Sequence, residues 1–107
     1  MISERSLAQR PSSEASVEVV LDQSRDRIVA STDDVGLQGC FVKTVFSFPV
    51  GSSVSLTITE RSRSFSATGE VSYLLTREGM GIRFVQLASM DSAVLQEWID
   101  EQNAVPL

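Results

Sequence analysis

Ser53-Val54-Ser55-Leu56-Thr57-Ile58-Thr59 alternates without a break. Val54, Leu56 and Ile58 fall on one face and the four hydroxyl side chains on the other, which is the two-residue period of a half-buried β-strand. Downstream, Glu60-Arg61-Ser62-Arg63-Ser64 reads as a charged hairpin tip, so Arg61 and Arg63 are expected in solvent. Phe65 to Leu75 alternates again through Phe65, Ala67, Gly69, Val71, Tyr73 and Leu75, with Gly69 marking a bend or bulge. Thr76-Arg77-Glu78-Gly79 turns the chain, and Met80 to Leu87 brings Met80, Ile82 and Phe84 to one face. Then the period changes. Val94, Leu95, Trp98 and Ile99 sit at helical spacing behind a Ser89 or Asp91 cap, giving a helix from about Ser89 to Gln102. Its Trp98 face is expected to cover an open end or edge of the strands, leaving Glu97, Asp100 and Glu101 to solvent.

Upstream, Pro49 and Gly51 interrupt Phe46 to Ser52. Asp33-Asp34-Val35-Gly36-Leu37-Gln38-Gly39 carries two carboxylates and two glycines, which is turn chemistry, and Cys40-Phe41-Val42 leads into a strand through about Val45. Glycine-bared amides beside a carboxylate make this turn a corner where a polar ligand could sit. Ser16 to Leu21 reads as a strand, Asp22 to Asp26 as a polar turn, and Arg27 to Ser31 as a second, shorter strand, with Arg25 and Arg27 balancing Asp26. Met1 to Ala15 has little to bury and reads as an extended arm, in which Pro11 keeps Arg10 out of helix. Short strands at this spacing imply a sandwich or a small barrel.

The chain has 107 residues, enough for one core and one domain. Its net charge of −5 opposes a DNA- or RNA-coating role, since neutralising phosphates takes a basic surface. The single cysteine, Cys40, excludes an intrachain disulfide, and its apolar neighbours place it in the core. There is no histidine, which removes His-based triads and most zinc sites. Asp33 and Asp34 have no further ligand cluster nearby, so neither a metal, a cofactor nor a catalytic residue is expected, and the chain does not read as an enzyme. No apolar run nears the roughly twenty residues that span a membrane, and the N-terminus lacks signal-peptide character. The expectation is a cytoplasmic protein without membrane insertion.

In this order, the sequence resembles a PilZ domain, the bacterial β-barrel known for binding cyclic di-GMP. Leu37-Gln38-Gly39-Cys40-Phe41-Val42 is similar to the strand after the family's Asp/Asn-x-Ser-x-x-Gly signature. Pro49-Val50-Gly51-Ser52-Ser53-Val54-Ser55-Leu56 resembles its Pro-x-Gly turn into an alternating strand. Thr68-Gly69-Glu70-Val71 and Gly79-Met80-Gly81-Ile82-Arg83-Phe84 resemble its last two strands, and the Leu95/Trp98 helix its closing helix. The resemblance covers about Arg10 to Gln102. It implies an all-β fold: a six- or seven-stranded antiparallel Greek-key-type β-barrel with a C-terminal α-helix. The arm then spans 1–15, the barrel with its helix 16–103, and a tail 104–107.

The resemblance also implies a site. In the family's Arg-x-x-x-Arg motif, Arg10 matches the second arginine, while the first falls on Ser6 and the nearest arginine, Arg5, is one residue out of step. In the second motif Asp34 and Gly39 match, and Gly36 replaces the serine. The implied ligand-binding residues are therefore Arg5, Arg10, Asp34, Gly36 and Gly39. A guanidinium fork fits phosphate oxygens or the O6/N7 edge of guanine, and a carboxylate accepts from guanine N–H groups. Arg83 points away from Ile82 and Phe84; surface charge is its plainer role, and approach to the ligand corner its secondary one. The resemblance leaves two functions open. One is a cyclic di-GMP receptor or adaptor with a protein partner in second-messenger signalling. The other is a degenerate PilZ module that binds no nucleotide and acts as a protein-interaction adaptor in motility or surface behaviour.

Overall fold

A computed structural model describes residues 15–61 and 63–103, with Asp33 and Asn103 described by their backbone alone. Among the described residues six strands, β1 (Ala15–Leu21), β2 (Arg27–Val35), β3 (Gly39–Lys43), β4 (Ser53–Glu60), β5 (Arg63–Leu75) and β6 (Gly79–Gln86), precede one helix, α1 (Ser89–Asn103). All neighbours are antiparallel, and the order β1-β2-β3-β6-β5-β4 closes on itself through the β1–β4 pairing. Hairpins join β4, β5 and β6, and β3 lies beside β6, with the long connection through Pro49 and Gly51 leading from β3 to β4. That is the Greek key expected from the sequence, in six strands.

The alternation of β4 is carried into the barrel intact. Val54 and Ile58 are fully buried and Leu56 nearly so, sharing one core with Val17, Val19 and Val42. The helix closes one end. Trp98 is 1 % exposed, edge-on to Phe65 with ring centroids 5.7 Å apart, and Phe65 in turn meets Phe84 edge-on at 6.1 Å. Arg63 fastens the contact from outside. It donates to Glu60 and to Glu101 at 3.0 Å each, and its guanidinium lies 5.4 Å from the Trp98 ring centre. The solvated-tip reading fails for Arg63, because the helix delivers Glu101 and Trp98 to it. Glu60 first, and then Glu101, hold its pKa above the ordinary arginine value. Asp91 sits in the first turn as expected, but its carboxylate accepts from the Ser66 backbone N–H at 2.9 Å, tying helix to barrel. Arg27 pairs with Glu18 on β1 at 2.9 Å rather than with Asp26.

Two strand bulges correct the sequence reading. Asp33 and Asp34 belong to β2 and not to the turn: Thr32 pairs with Val42 and Asp34 with Phe41, so Asp33 is an extra residue. Ladder pairing with β3 outweighs local turn preference here. In β5, Val71 pairs with Ile82 and Tyr73 with Gly81, which makes Ser72 extra. Each bulge shifts the pleat by one residue and re-aims the side chains beyond it. Tyr73 and Leu75, inward by simple alternation, are 49 % and 45 % exposed. The break expected at Gly69 is present as a register shift between Thr68 and Gly69, with Val85 the extra residue opposite.

Cys40 faces the core as expected. Burial pushes its thiol from 9.0 up to about 12, against a smaller opposing pull from the neighbouring Thr32 hydroxyl. Two outcomes are expected. A disulfide reagent at neutral pH will modify the folded protein only at the rate of unfolding, and the denatured protein at once. The folded state holds the thiol proton above pH 9, where the unfolded chain releases it, so stability falls as pH rises from 9 towards 12. Melting Cys40→Ala in parallel checks this, because the variant will lose less stability over that window.

Candidate ligand-binding groove

The two bulges serve one surface. With Asp33 inserted, Val35 stays in the core while Asp34 turns to the outer face, opposite Phe41. With Ser72 inserted, Tyr73 comes to the same face opposite Gly81, which itself pairs with Phe41. One row thus runs Asp34, Phe41, Gly81, Tyr73 across four strands. Gly81 has to be bare: a Cβ there would stand 2.0 Å from the Tyr73 ring. Without it the ring lies on the β6 backbone and stacks on Phe41, with centroids 6.1 Å apart and planes 25° from parallel. The Ser72 hydroxyl donates to the Gly81 carbonyl at 3.2 Å and holds the bulge in place.

A second row runs Gly39, Arg83, Glu70. Arg83 donates to Glu70 across β5 and β6. On its other side Gly39 presents no side chain, and a Cβ would come within 2.1 Å of the Ile82 carbonyl oxygen. The turn between β2 and β3 is held by the Gly36 N–H donating to the Gly39 carbonyl at 2.9 Å and the Phe84 N–H donating to the Gln38 carbonyl at 2.8 Å.

Between turn and rows lies a groove of about 510 Å³, lined by Asp34, Gly36, Gly39, Phe41, Tyr73 and Arg83 among others. Its volume falls in the range of about 300–1,000 Å³ common for small-molecule sites. A carboxylate, a guanidinium, a turn closed by glycines and two aromatic rings suit a planar heterocycle carrying N–H donors and an attached anion. Asp34, Gly36, Gly39 and Arg83, expected separately from the sequence, therefore share one groove. Arg5 and Arg10 lie outside the described residues. Ala15 pairs with Thr32, two residues from Asp34, so the chain enters the barrel at the groove's end. Sequence reasoning missed Phe41 and Tyr73 as groove residues, and Glu70 as the partner of Arg83. The available signal was the bare glycine pair Gly79 and Gly81 within a strand, which marks close approach of another group.

A second cavity, of about 360 Å³, lies between the β4–β5 hairpin and the helix and is lined by Glu60, Arg61, Arg63, Glu97 and Glu101. Its acidic groups Glu60 and Glu101 are already paired with Arg63. Among the described residues, no three His, Cys, Asp or Glu side chains are grouped to hold a metal ion. No helix among the described residues is long and apolar enough to cross a membrane.

A closed antiparallel barrel with a polar, ring-lined groove on its outer face and a helix across one end defines a small helix-capped β-barrel domain. Within that class the chain belongs to the PilZ domain family, whose model matches residues 4–101. PilZ domains are cyclic di-GMP receptor and adaptor domains rather than enzymes. No curated protein matches the chain.

Proposed function

We propose that this domain is a cyclic di-GMP receptor acting as an adaptor in second-messenger signalling in the bacterial cytoplasm. The observation that carries the reading is the meeting of Asp34, the Gly36–Gly39 turn and Arg83 in one groove at the end where the arm joins the barrel. Asp34 accepts from the N–H edge of a guanine. Arg10, and Arg5 in the arm, present guanidinium forks to phosphate or to guanine O6/N7. Ligand binding draws the arm over the groove, and a protein partner reads the altered surface.

Calorimetric titration with cyclic di-GMP tests this. Micromolar or tighter binding is expected, weakened at least about tenfold in Arg10→Ala and in Asp34→Ala, since each removes a charged hydrogen-bonding partner. Unchanged affinity in Arg10→Ala, or no heat from a folded protein, overturns it. Gly36→Ser supplies the hydroxyl of the family's motif. There is room for it, because a Cβ at Gly36 meets nothing closer than the Gly39 carbonyl oxygen at 3.9 Å. One added hydrogen bond is worth about 0.5–1.5 kcal/mol, so this variant will bind up to about tenfold tighter.

A second reading, a PilZ adaptor that binds no nucleotide and serves motility or surface behaviour, has its own support. Val45, Phe46 and Val50 in the β3–β4 connection are 68 %, 75 % and 59 % exposed. The Thr44 N–H donates to the Glu78 carbonyl at 3.2 Å, which brings this connection against the β5–β6 hairpin beside exposed Leu75. Apolar side chains gathered at one barrel end suit protein contact. A silent titration from folded protein moves the assignment to this reading.

A further inference from the structure

We propose that Glu70 is a built-in competitor of the nucleotide: it holds Arg83 in the free protein, and ligand binding transfers Arg83 from the Glu70 carboxylate to the ligand's phosphate. The inference rests on the nucleotide reading above and adds to it a barrel-borne arginine and the group that restrains it.

The geometry is that of a side chain between two partners. Arg83 lies in the middle of the row Gly39, Arg83, Glu70. Towards β3 it faces a glycine and the groove; towards β5 it faces a carboxylate to which it donates. The side chains of Arg83 and Glu70 are 56 % and 41 % exposed. An ion pair this open to water contributes little to stability, so breaking it costs the fold little. A doubly charged cyclic dinucleotide offers the same guanidinium a phosphate whose oxygens match its fork. Once Arg83 leaves, Glu70 remains exposed opposite Ser53, where water solvates it. Glu70 opposes binding by occupying the guanidinium. Glu70 thereby sets the ligand concentration at which the domain responds.

The test is a double-mutant cycle read by calorimetry with cyclic di-GMP, using the full chain, E70Q, R83A and the double variant, each first shown by circular dichroism to be folded. Binding by E70Q will be about two- to fivefold tighter, the range that the loss of an exposed ion pair allows. R83A will bind at least about tenfold more weakly. In the R83A background, E70Q will change affinity by less than about twofold, because the gain requires the freed arginine. If the unaltered protein binds and R83A binds equally well, or if E70Q tightens binding equally in both backgrounds, the competitor role is overturned and the receptor reading stands. If none of the four folded proteins binds, both fall.

Discussion

Replacing Trp98 by alanine will lower the stability of the domain by about 3–5 kcal/mol, the usual consequence of deleting a buried aromatic side chain. A domain of this size has only about 5–15 kcal/mol in total. The ring is 1 % exposed, packs edge-on against Phe65, and lies under the Arg63 guanidinium. Its removal opens a cavity at the end of the barrel and takes the cation's aromatic partner as well. Leu95 is then left as the deepest apolar anchor of a helix that otherwise presents half-buried Val94 and Ile99. The melting temperature will fall by more than about 12 °C, at about 4 °C or more per kcal/mol. Far-ultraviolet circular dichroism is the measurement, since Trp98 is the sole tryptophan and its fluorescence disappears with it. Trp98→Phe keeps an aromatic ring in place and will lose less. A drop of only a few degrees in Trp98→Ala would show that the helix is not fastened through this ring.

The second large effect is expected at Gly39. Gly39→Ala places a Cβ 2.1 Å from the Ile82 carbonyl oxygen, which is backbone in the middle of β6 and cannot rotate away. Overfilled sites commonly cost about 1–3 kcal/mol, and a collision with fixed backbone belongs at or above the top of that range. Relief requires β3 to part from β6, the seam on which the groove is built. Urea unfolding will therefore show a midpoint well below that of the unaltered protein. Gly36→Ala, three residues earlier, is the control. Its Cβ meets nothing closer than 3.9 Å, and its stability will stay within about 0.5 kcal/mol. Equal midpoints for the two variants would refute the close β3–β6 approach.

The sequence carried the barrel in plain view wherever pairing followed simple alternation. Val54, Leu56 and Ile58 point inward as their spacing requires, and the change of period at Val94 to Ile99 marks the helix. Misreadings cluster where a strand holds one residue too many. Asp33-Asp34 has the local chemistry of a turn, yet both residues are in β2, because the partner strand decides where a ladder stops. Tyr73 belongs to an unbroken alternation on paper and is turned outward by Ser72. A bulge depends on the register of two strands at once, and no window along one strand records it. Arg63 illustrates a longer reach still: its partners are Glu60, three residues away, and Glu101 on the closing helix. For the groove, Asp34, Gly36, Gly39 and Arg83 were legible, whereas Phe41 and Tyr73 become neighbours only through pairing of β3, β6 and β5.

Closure of the sheet has a consequence for how this domain can speak to another protein. Many recognition domains take a partner by letting it add a strand along an open sheet margin, where unpaired amides and carbonyls wait. Here the β1–β4 seam closes the six described strands into a ring, so none of them has a whole side left unpaired. A partner is thereby denied backbone grammar and must read side chains and loops: the turn at Gly36–Gly39, the connection bearing Phe46, or the outer row from Asp34 to Tyr73. Affinity built that way is specific to residue identity, so single substitutions on those loops can redirect the domain to a new partner while the barrel beneath stays unchanged.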